Sequence, residues 1–202
     1  MRRTLLLPPL LLIAALLVAC DDGGEAPAPS PSATAPSATA TAGETPVGTG
    51  TPAFDGTLGP LDIPLEAPGT ALIVDVRTGR HDEGFDRVTF EFENYLPGFR
   101  VAYEQPPIIA DPTGLPIDVE GAAFLRVTLS PASGIDLSGE TPRRTCCRSE
   151  ITTGFPALVD LQPAGDFEAV TSYVLGLSQM LEFRVTRLLD PPRLAIDVRH
   201  PE

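Results

Sequence analysis

Apolar and polar residues alternate with a period of two through the C-terminal two-thirds of the chain. In Arg87-Val88-Thr89-Phe90-Glu91-Phe92, the residues Val88, Phe90 and Phe92 fall on one face and Thr89 and Glu91 on the other. Phe99, Val101 and Tyr103 repeat this against Arg100, Ala102 and Glu104, and Leu125, Val127 and Leu129 against Arg126 and Thr128. Leu181, Phe183 and Val185 alternate with Glu182, Arg184 and Thr186. The set Leu72, Val74, Val76 opens the series and Leu194, Ile196, Val198 closes it, with weaker strands expected at 157–162 and 172–177. Period two is the signature of half-buried strands. Leu96-Pro97-Gly98, Asp111-Pro112-Thr113-Gly114, Ser130-Pro131 and Asp190-Pro191-Pro192 punctuate the runs with turn chemistry. No stretch makes an amphipathic helix of three turns. Strands with one apolar face each must cover one another, which predicts an all-β fold, an antiparallel β-sandwich. A small open barrel is the alternative.

The first third reads differently. Met1-Arg2-Arg3 is a basic head, and Leu5 to Ala19 is an apolar run broken only by Pro8 and Pro9. As a helix that run would reach only ~22 Å, short of the ~30 Å hydrocarbon core. This is the layout of a secretory signal. Leu17-Val18-Ala19-Cys20 resembles the lipobox of bacterial lipoprotein signals, which implies cleavage before Cys20 and lipid on that cysteine. Beyond Cys20 the chain is mostly Pro, Ala, Ser, Thr and Gly, too poor in apolar surface to offset the entropy of ordering it. As a coil it would span about 35 Å, and as extended polyproline ~100 Å. The expected organisation is therefore a signal peptide at 1–19, a lipidated disordered tether at 20–66 and a folded domain at 67–202. The folded part is long enough for one core. These features place the mature chain on the extracytoplasmic face of a bacterial membrane, with that membrane as its first partner.

Charge narrows the partners. The chain has no lysine, and cleavage before Cys20 leaves twelve arginines against twenty-seven acidic residues, a charge of −15. Such a balance argues against nucleic acid as a broad-surface partner, while leaving room for a local basic patch.

The folded part also carries motifs. Gly79 to Phe92 (GRHDEGFDRVTFEF), Leu96 to Val101 (LPGFRV), Gly165 to Thr171 (GDFEAVT) and the closing Phe183-Arg184-Val185 with Asp190 to Val198 (DPPRLAIDV) resemble the AMIN-like domain of bacterial lipoproteins. The resemblance covers nearly all of the folded region. It implies a β-sandwich related to AMIN domains, modules that target cell-wall amidases and some envelope secretins through peptidoglycan. No amidase domain follows in this sequence, and the stretch 136–155 fits the pattern poorly. Several of the motif residues have a structural reading too. Proline lacks an N–H and suits the start of a strand, and Asp86 with Arg87 would form a local ion pair.

Catalytic constellations are scarce. His81 and His200 are the only histidines, and His81-Asp82-Glu83 are sequence neighbours that suit a solvated loop better than a converging metal site. There is no Gly-x-Ser-x-Gly elbow and no phosphate-cradling glycine loop. The reading is therefore no enzyme, no cofactor and no metal. Cys146 and Cys147 are adjacent, with Cα atoms ~3.8 Å apart across a trans peptide, against the ~4.4–6.8 Å that disulfides prefer. A vicinal bridge and a pair of thiols both remain open, the pair of thiols being the simpler. Arg143, Arg144 and Arg148 beside them would lower the thiol pKa values and make the loop redox-active.

The expected function is a non-catalytic binding module of the cell envelope, with peptidoglycan as the ligand that the resemblance implies. A scaffold that binds another envelope protein through an exposed strand edge is the alternative, and a hydrolase with an unrecognised site is a remote third. Since the inward faces are committed to the core, a site must use outward residues. Arg100, Arg126 and Arg184 are outward on strands, and their planar forks suit carboxylates, so one basic patch made of these three is the expected ligand site.

Overall fold

A computed structural model describes residues 54–64, 68–147 and 150–202. The stretches expected to be a signal peptide and a lipidated tether, as far as residue 53 and with Cys20 between them, lie outside the described residues. In chain order the strands are β1 (Leu61–Ile63), β2 (Ala71–His81), β3 (Phe85–Phe92), β4 (Gly98–Glu104), β5 (Ala123–Ser130), β6 (Ala132–Ser133) and β7 (Ile135–Asp136). The series continues with β8 (Arg143–Arg144), β9 (Ile151–Thr152), β10 (Leu158–Phe167), β11 (Val170–Leu177), β12 (Phe183–Leu189) and β13 (Pro192–Arg199). No helix occurs among the described residues.

The strands form two main sheets packed as a sandwich, one with the order β1-β4-β5-β11-β10-β9 and the other β12-β13-β3-β2-β6. Pairing is antiparallel throughout except for the short parallel contact of β2 with β6. The alternating sets interdigitate between the sheets: Phe90, Phe92, Phe183, Leu194 and Ile196 from one, Leu125, Leu129, Leu161, Leu175 and Leu177 from the other, all essentially without exposure. Burying each such side chain contributes about 1.5–3 kcal/mol. Phe90 meets Tyr173 across the layer at 5.1 Å, and Tyr103 meets Phe183 at 6.1 Å. Asp190 and Pro191 make the β12–β13 turn, as the proline signal predicts.

The structure corrects three details. The first strand was expected to bury Leu72, Val74 and Val76, but it buries Ala71, Ile73 and Val76 and exposes Val74. A bulge between Ile73 and Asp75 inserts one residue and switches the phase. The tether boundary at residue 66 is also too late. Thr57 exchanges both backbone hydrogen bonds with Phe183, and Leu61–Ile63 pairs with Phe99–Val101. Residues 57–63 thus close one side of the sandwich, pairing with the edge of each sheet in turn. Backbone pairing asks little of side chains, so a Gly- and Pro-containing segment joins the fold with Leu61 alone packed on the core.

The third correction concerns extent: the weaker strands expected at 157–162 and 172–177 are present as β10 and β11, near the middle of the six-stranded sheet, but β10 runs on to Phe167 and β11 starts at Val170. β11 is buried on both faces from Thr171 to Leu177. Its outer face is covered by the connection 105–122, where Ile108 packs with Ala164 and Val174 in a second small core. Burial on both faces removes the polar alternation that marks a half-exposed strand. The connection lies backbone against sheet because the strands are glycine there. A Cβ on Gly165 would collide with the Asp111 carbonyl, and one on Gly176 with the Glu120 carbonyl. Asp160, fully buried, accepts from Glu120 N at 3.0 Å and pins the far end of the connection.

Candidate functional site

The outward face of the five-stranded sheet is open, and its register sets out the site. Arg184, Asp197, Arg87 and Gly79 form one cross-strand row, and Thr186, Ala195, Thr89 and Arg77 the next. Arg193 and Glu91 stand opposite one another in a third. Small side chains in the middle make a floor, and arginines make the walls. The result is a groove of about 240 Å³ that includes Gly79, Thr89 and Ala195 below, with Arg77, Arg87 and Arg193 around them.

The arginines are held, not loose. Asp197 has no exposure, yet it takes a two-pronged contact from Arg87 (Nε to Oδ1 2.5 Å, Nη2 to Oδ2 2.9 Å) and a third from Arg184 Nε at 2.9 Å. A charge-assisted fork of this kind fixes guanidinium planes. Hydrogen bonding to Asp197 raises the Arg87 pKa, so Arg87 stays charged. Arg77 is held by Asp75 at 2.6 Å and Glu91 at 2.9 Å, and the Asp75 contact chiefly raises its pKa as well. Arg193 makes no ion pair among the described residues; its Nε reaches only the Pro191 carbonyl, at 3.4 Å. At one end of the groove His81 stacks on Phe85 with centroids 4.5 Å apart, and Arg87 and Arg184 lie over the same ring at 5.2 and 5.0 Å. Phe54 extends this platform, with Arg184 4.7 Å above its ring. Cation–π contacts of this kind are worth roughly 0.5–1 kcal/mol at exposed sites. Four arginines thus stand on this face against Asp75, Glu91 and Asp197, with Glu83 near enough to Arg87 to raise its pKa too, so the face is rich in paired arginine on an acidic chain.

The expected patch of Arg100, Arg126 and Arg184 does not form. Arg184 is on β12, in the five-stranded sheet, while Arg100 and Arg126 face outward from the other sheet. Nor is Arg126 free to take a ligand. Its Nε donates to Glu104 at 2.8 Å, its Nη2 to the Ile109 carbonyl at 2.7 Å, and its Nη1 lies 3.5 Å from Asp111. It pins the 105–122 connection to the sheet. Arg100 pairs with Asp62 of β1 at 3.1 Å and so joins that edge strand to β4.

Asp86 and Arg87 do not pair with each other, because neighbours on a strand point to opposite faces. Arg87 goes out to Asp197, whereas Asp86 goes in. There its carboxylate accepts from Ala157 N at 2.7 Å and Leu158 N at 2.9 Å, and lies 2.8 Å from His200 Nε2. His200 is thus one side of a latch between the sheets. Cys146 and Cys147 are joined as a vicinal disulfide, overturning the preference for two thiols. Cys146 is buried in the core, and Tyr173 Oη donates to the Cys147 carbonyl at 3.1 Å, so the pair sits in a fixed corner. No group of three His, Cys, Asp or Glu side chains converges as a metal set among the described residues.

Arg77, Arg193 and Asp197 were not singled out by sequence. All lie at strand positions, but nothing in a single strand says which other strand stands beside it.

The fold and this face define a β-sandwich with one arginine-lined sheet face that no other strand covers among the described residues. The family model of the AMIN-like domain matches residues 71–200, and the chain belongs to that family. No curated protein and no solved structure matches it.

Proposed function

We propose that this protein is a non-catalytic lipoprotein of the cell envelope, anchored through Cys20, whose AMIN-like domain binds peptidoglycan along the groove of the five-stranded sheet. The observation that carries the reading is the rank of preset arginines over a floor of small residues on a chain of net charge −13. Peptidoglycan offers carboxylates, amides and hydroxyls in a linear polymer. An open groove admits a polymer where a closed pocket would not, and guanidinium forks suit its carboxylates. Family membership supports a cell-wall ligand.

The test is co-sedimentation of the chain lacking residues 1–20 with purified sacculi. The wild type pellets at low salt, and rising salt weakens it modestly. Arg77→Glu combined with Arg193→Glu abolishes pelleting with little change in melting temperature, since neither residue reaches the core. A wild type that stays in the supernatant refutes the reading. A protein-binding scaffold would then take precedence, favoured by β12, whose outer edge beyond Phe183 has no strand partner among the described residues.

A further inference from the structure

A second concavity lies against the other sheet. Within β10 only Asp160 and Leu161 pair with β9, so from Gln162 onward β10 has β11 on one side and, among the described residues, no strand on the other, with Asp111 N donating to the Ala164 carbonyl at 2.6 Å. A pocket of about 290 Å³ opens beside this bare edge. Asp111 and Pro112 of the 105–122 connection contribute to its lining, as do Arg144 and Cys147 from the disulfide corner. Pro163, Asp166 and Tyr173 belong to β10 and β11.

The charges in this pocket are unequal in their commitments. Asp166 is satisfied by the protein: it accepts from Ser133 Oγ at 2.9 Å, Gly134 N at 3.0 Å and Thr171 Oγ1 at 3.2 Å. Asp111 is two-thirds exposed, with only long contacts, to Ser172 Oγ at 3.4 Å and Arg126 Nη1 at 3.5 Å. Arg144 is exposed and makes no ion pair among the described residues, although its neighbour Arg143 pairs with Asp136 at 3.1 Å. Tyr173 is a neutral donor, its pKa pushed up to about 12, chiefly by burial.

With Asp166 satisfied, Asp111 and Arg144 are the charges this pocket leaves to a ligand: a simple anion such as phosphate would answer only Arg144, and a simple cation only Asp111. A ligand bearing both an ammonium and a carboxylate answers both, and the proline and disulfide surfaces suit a short aliphatic body between them. The volume is at the small end of ligand sites, which run about 300–1,000 Å³.

We propose that this pocket is a second binding site, for a small zwitterion, either a free α-amino acid or a whole dipeptide, with Arg144 taking the carboxylate and Asp111 the ammonium. Asp166 and the disulfide corner set the shape of the site and make no claim on the ligand's charges. The site shares no residue with the groove and does not depend on the peptidoglycan reading.

The experiment is calorimetric titration of the full mature chain in detergent micelles with alanine and with alanyl-alanine, each as L and D forms. Saturable binding of either probe is expected, and the comparison tells a free amino acid from a dipeptide. Acetylating the dipeptide's amine or amidating its carboxylate should each weaken binding at least tenfold. Arg144→Gln and Asp111→Asn should do the same, while Arg77→Glu with Arg193→Glu leaves it unchanged. No saturable binding of any probe at about 10 mM overturns the proposal. So does undiminished binding of both capped dipeptides, or undiminished binding by both pocket variants. None of these results bears on sedimentation with sacculi.

Discussion

Replacing Asp86 with alanine tests the inter-sheet latch. The carboxylate is fully buried on β3, in the five-stranded sheet, and its two backbone donors, Ala157 and Leu158, stand at the start of β10 in the other. Both donors belong to fully buried residues. Removing the acceptor leaves two N–H groups without partners, at about 1–3 kcal/mol each, and takes away the oxygen 2.8 Å from His200 Nε2. The loss should be about 3–5 kcal/mol, most of it from the two stranded N–H groups. For a domain of this size roughly 3–4 °C accompanies each kcal/mol, so the melting temperature should fall by about 10–20 °C. Asp86→Asn keeps one acceptor oxygen and should lose about half as much. Equilibrium denaturation followed by far-UV circular dichroism reads both values. If Asp86→Ala costs less than about 1 kcal/mol, the two N–H groups have found other partners and the latch is no part of what joins the sheets.

Three further outcomes rest on the same geometry. The chain has three tyrosines, and burial raises the pKa of Tyr103 and of Tyr173, the latter to about 12. An ultraviolet phenolate titration should therefore show a late step, absent from Tyr173→Phe. Because the folded state holds that proton more tightly than an ordinary tyrosine near 10, the stability linked to it is complete below pH ~10 and is lost as pH rises toward 12. Gly176→Ala should cost about 1–3 kcal/mol in chemical denaturation, because its Cβ would displace the Glu120 carbonyl and with it the 105–122 connection; an unchanged midpoint would show that the connection yields freely. A thiol assay on the chain lacking residues 1–20 should find no free thiol when denatured and two after reduction, whereas two at the outset would contradict the Cys146–Cys147 bond.

How much of this was legible in the sequence depended on exposure. The strands with one wet face, such as Phe99–Tyr103 and Leu125–Leu129, announced themselves, because water on one side enforces alternation. β11 did so only weakly, since the 105–122 connection dries its outer face and lets Val174 and Gly176 stand where a polar residue would otherwise mark the strand. The bulge before Asp75 defeated the phase of β2, for one inserted residue reverses every later position and leaves no compositional trace. Residues 57–63 were read as tether because their contribution to the fold is backbone pairing, which composition does not report. The candidate site failed for a related reason. Outwardness can be read from a period of two, and Arg100, Arg126 and Arg184 are all on outward positions. Which outward residues share a surface is a matter of strand order, and β12 lies in the other sheet from β4 and β5.

The partners of these arginines decide their roles more than their number does. Arg126 is spent on holding a connection, with a carboxylate and a backbone carbonyl filling its fork. Arg87 and Arg184 share a single buried carboxylate, so the pair keeps net positive charge while losing its freedom to turn aside. A lone guanidinium on a flexible stem gives up rotamer entropy when it grips a ligand, and an arginine already fixed by Asp197 gives up less. The acidic remainder of the chain acts over distance and is screened within about 10 Å at 0.1 M salt. At contact range a ligand therefore meets the arginines of the five-stranded sheet more than the charge of the whole protein. That is how a chain of net charge −13 can keep one arginine-rich face, and why neutralising Asp197 would disorder the site even as it made the surface more positive.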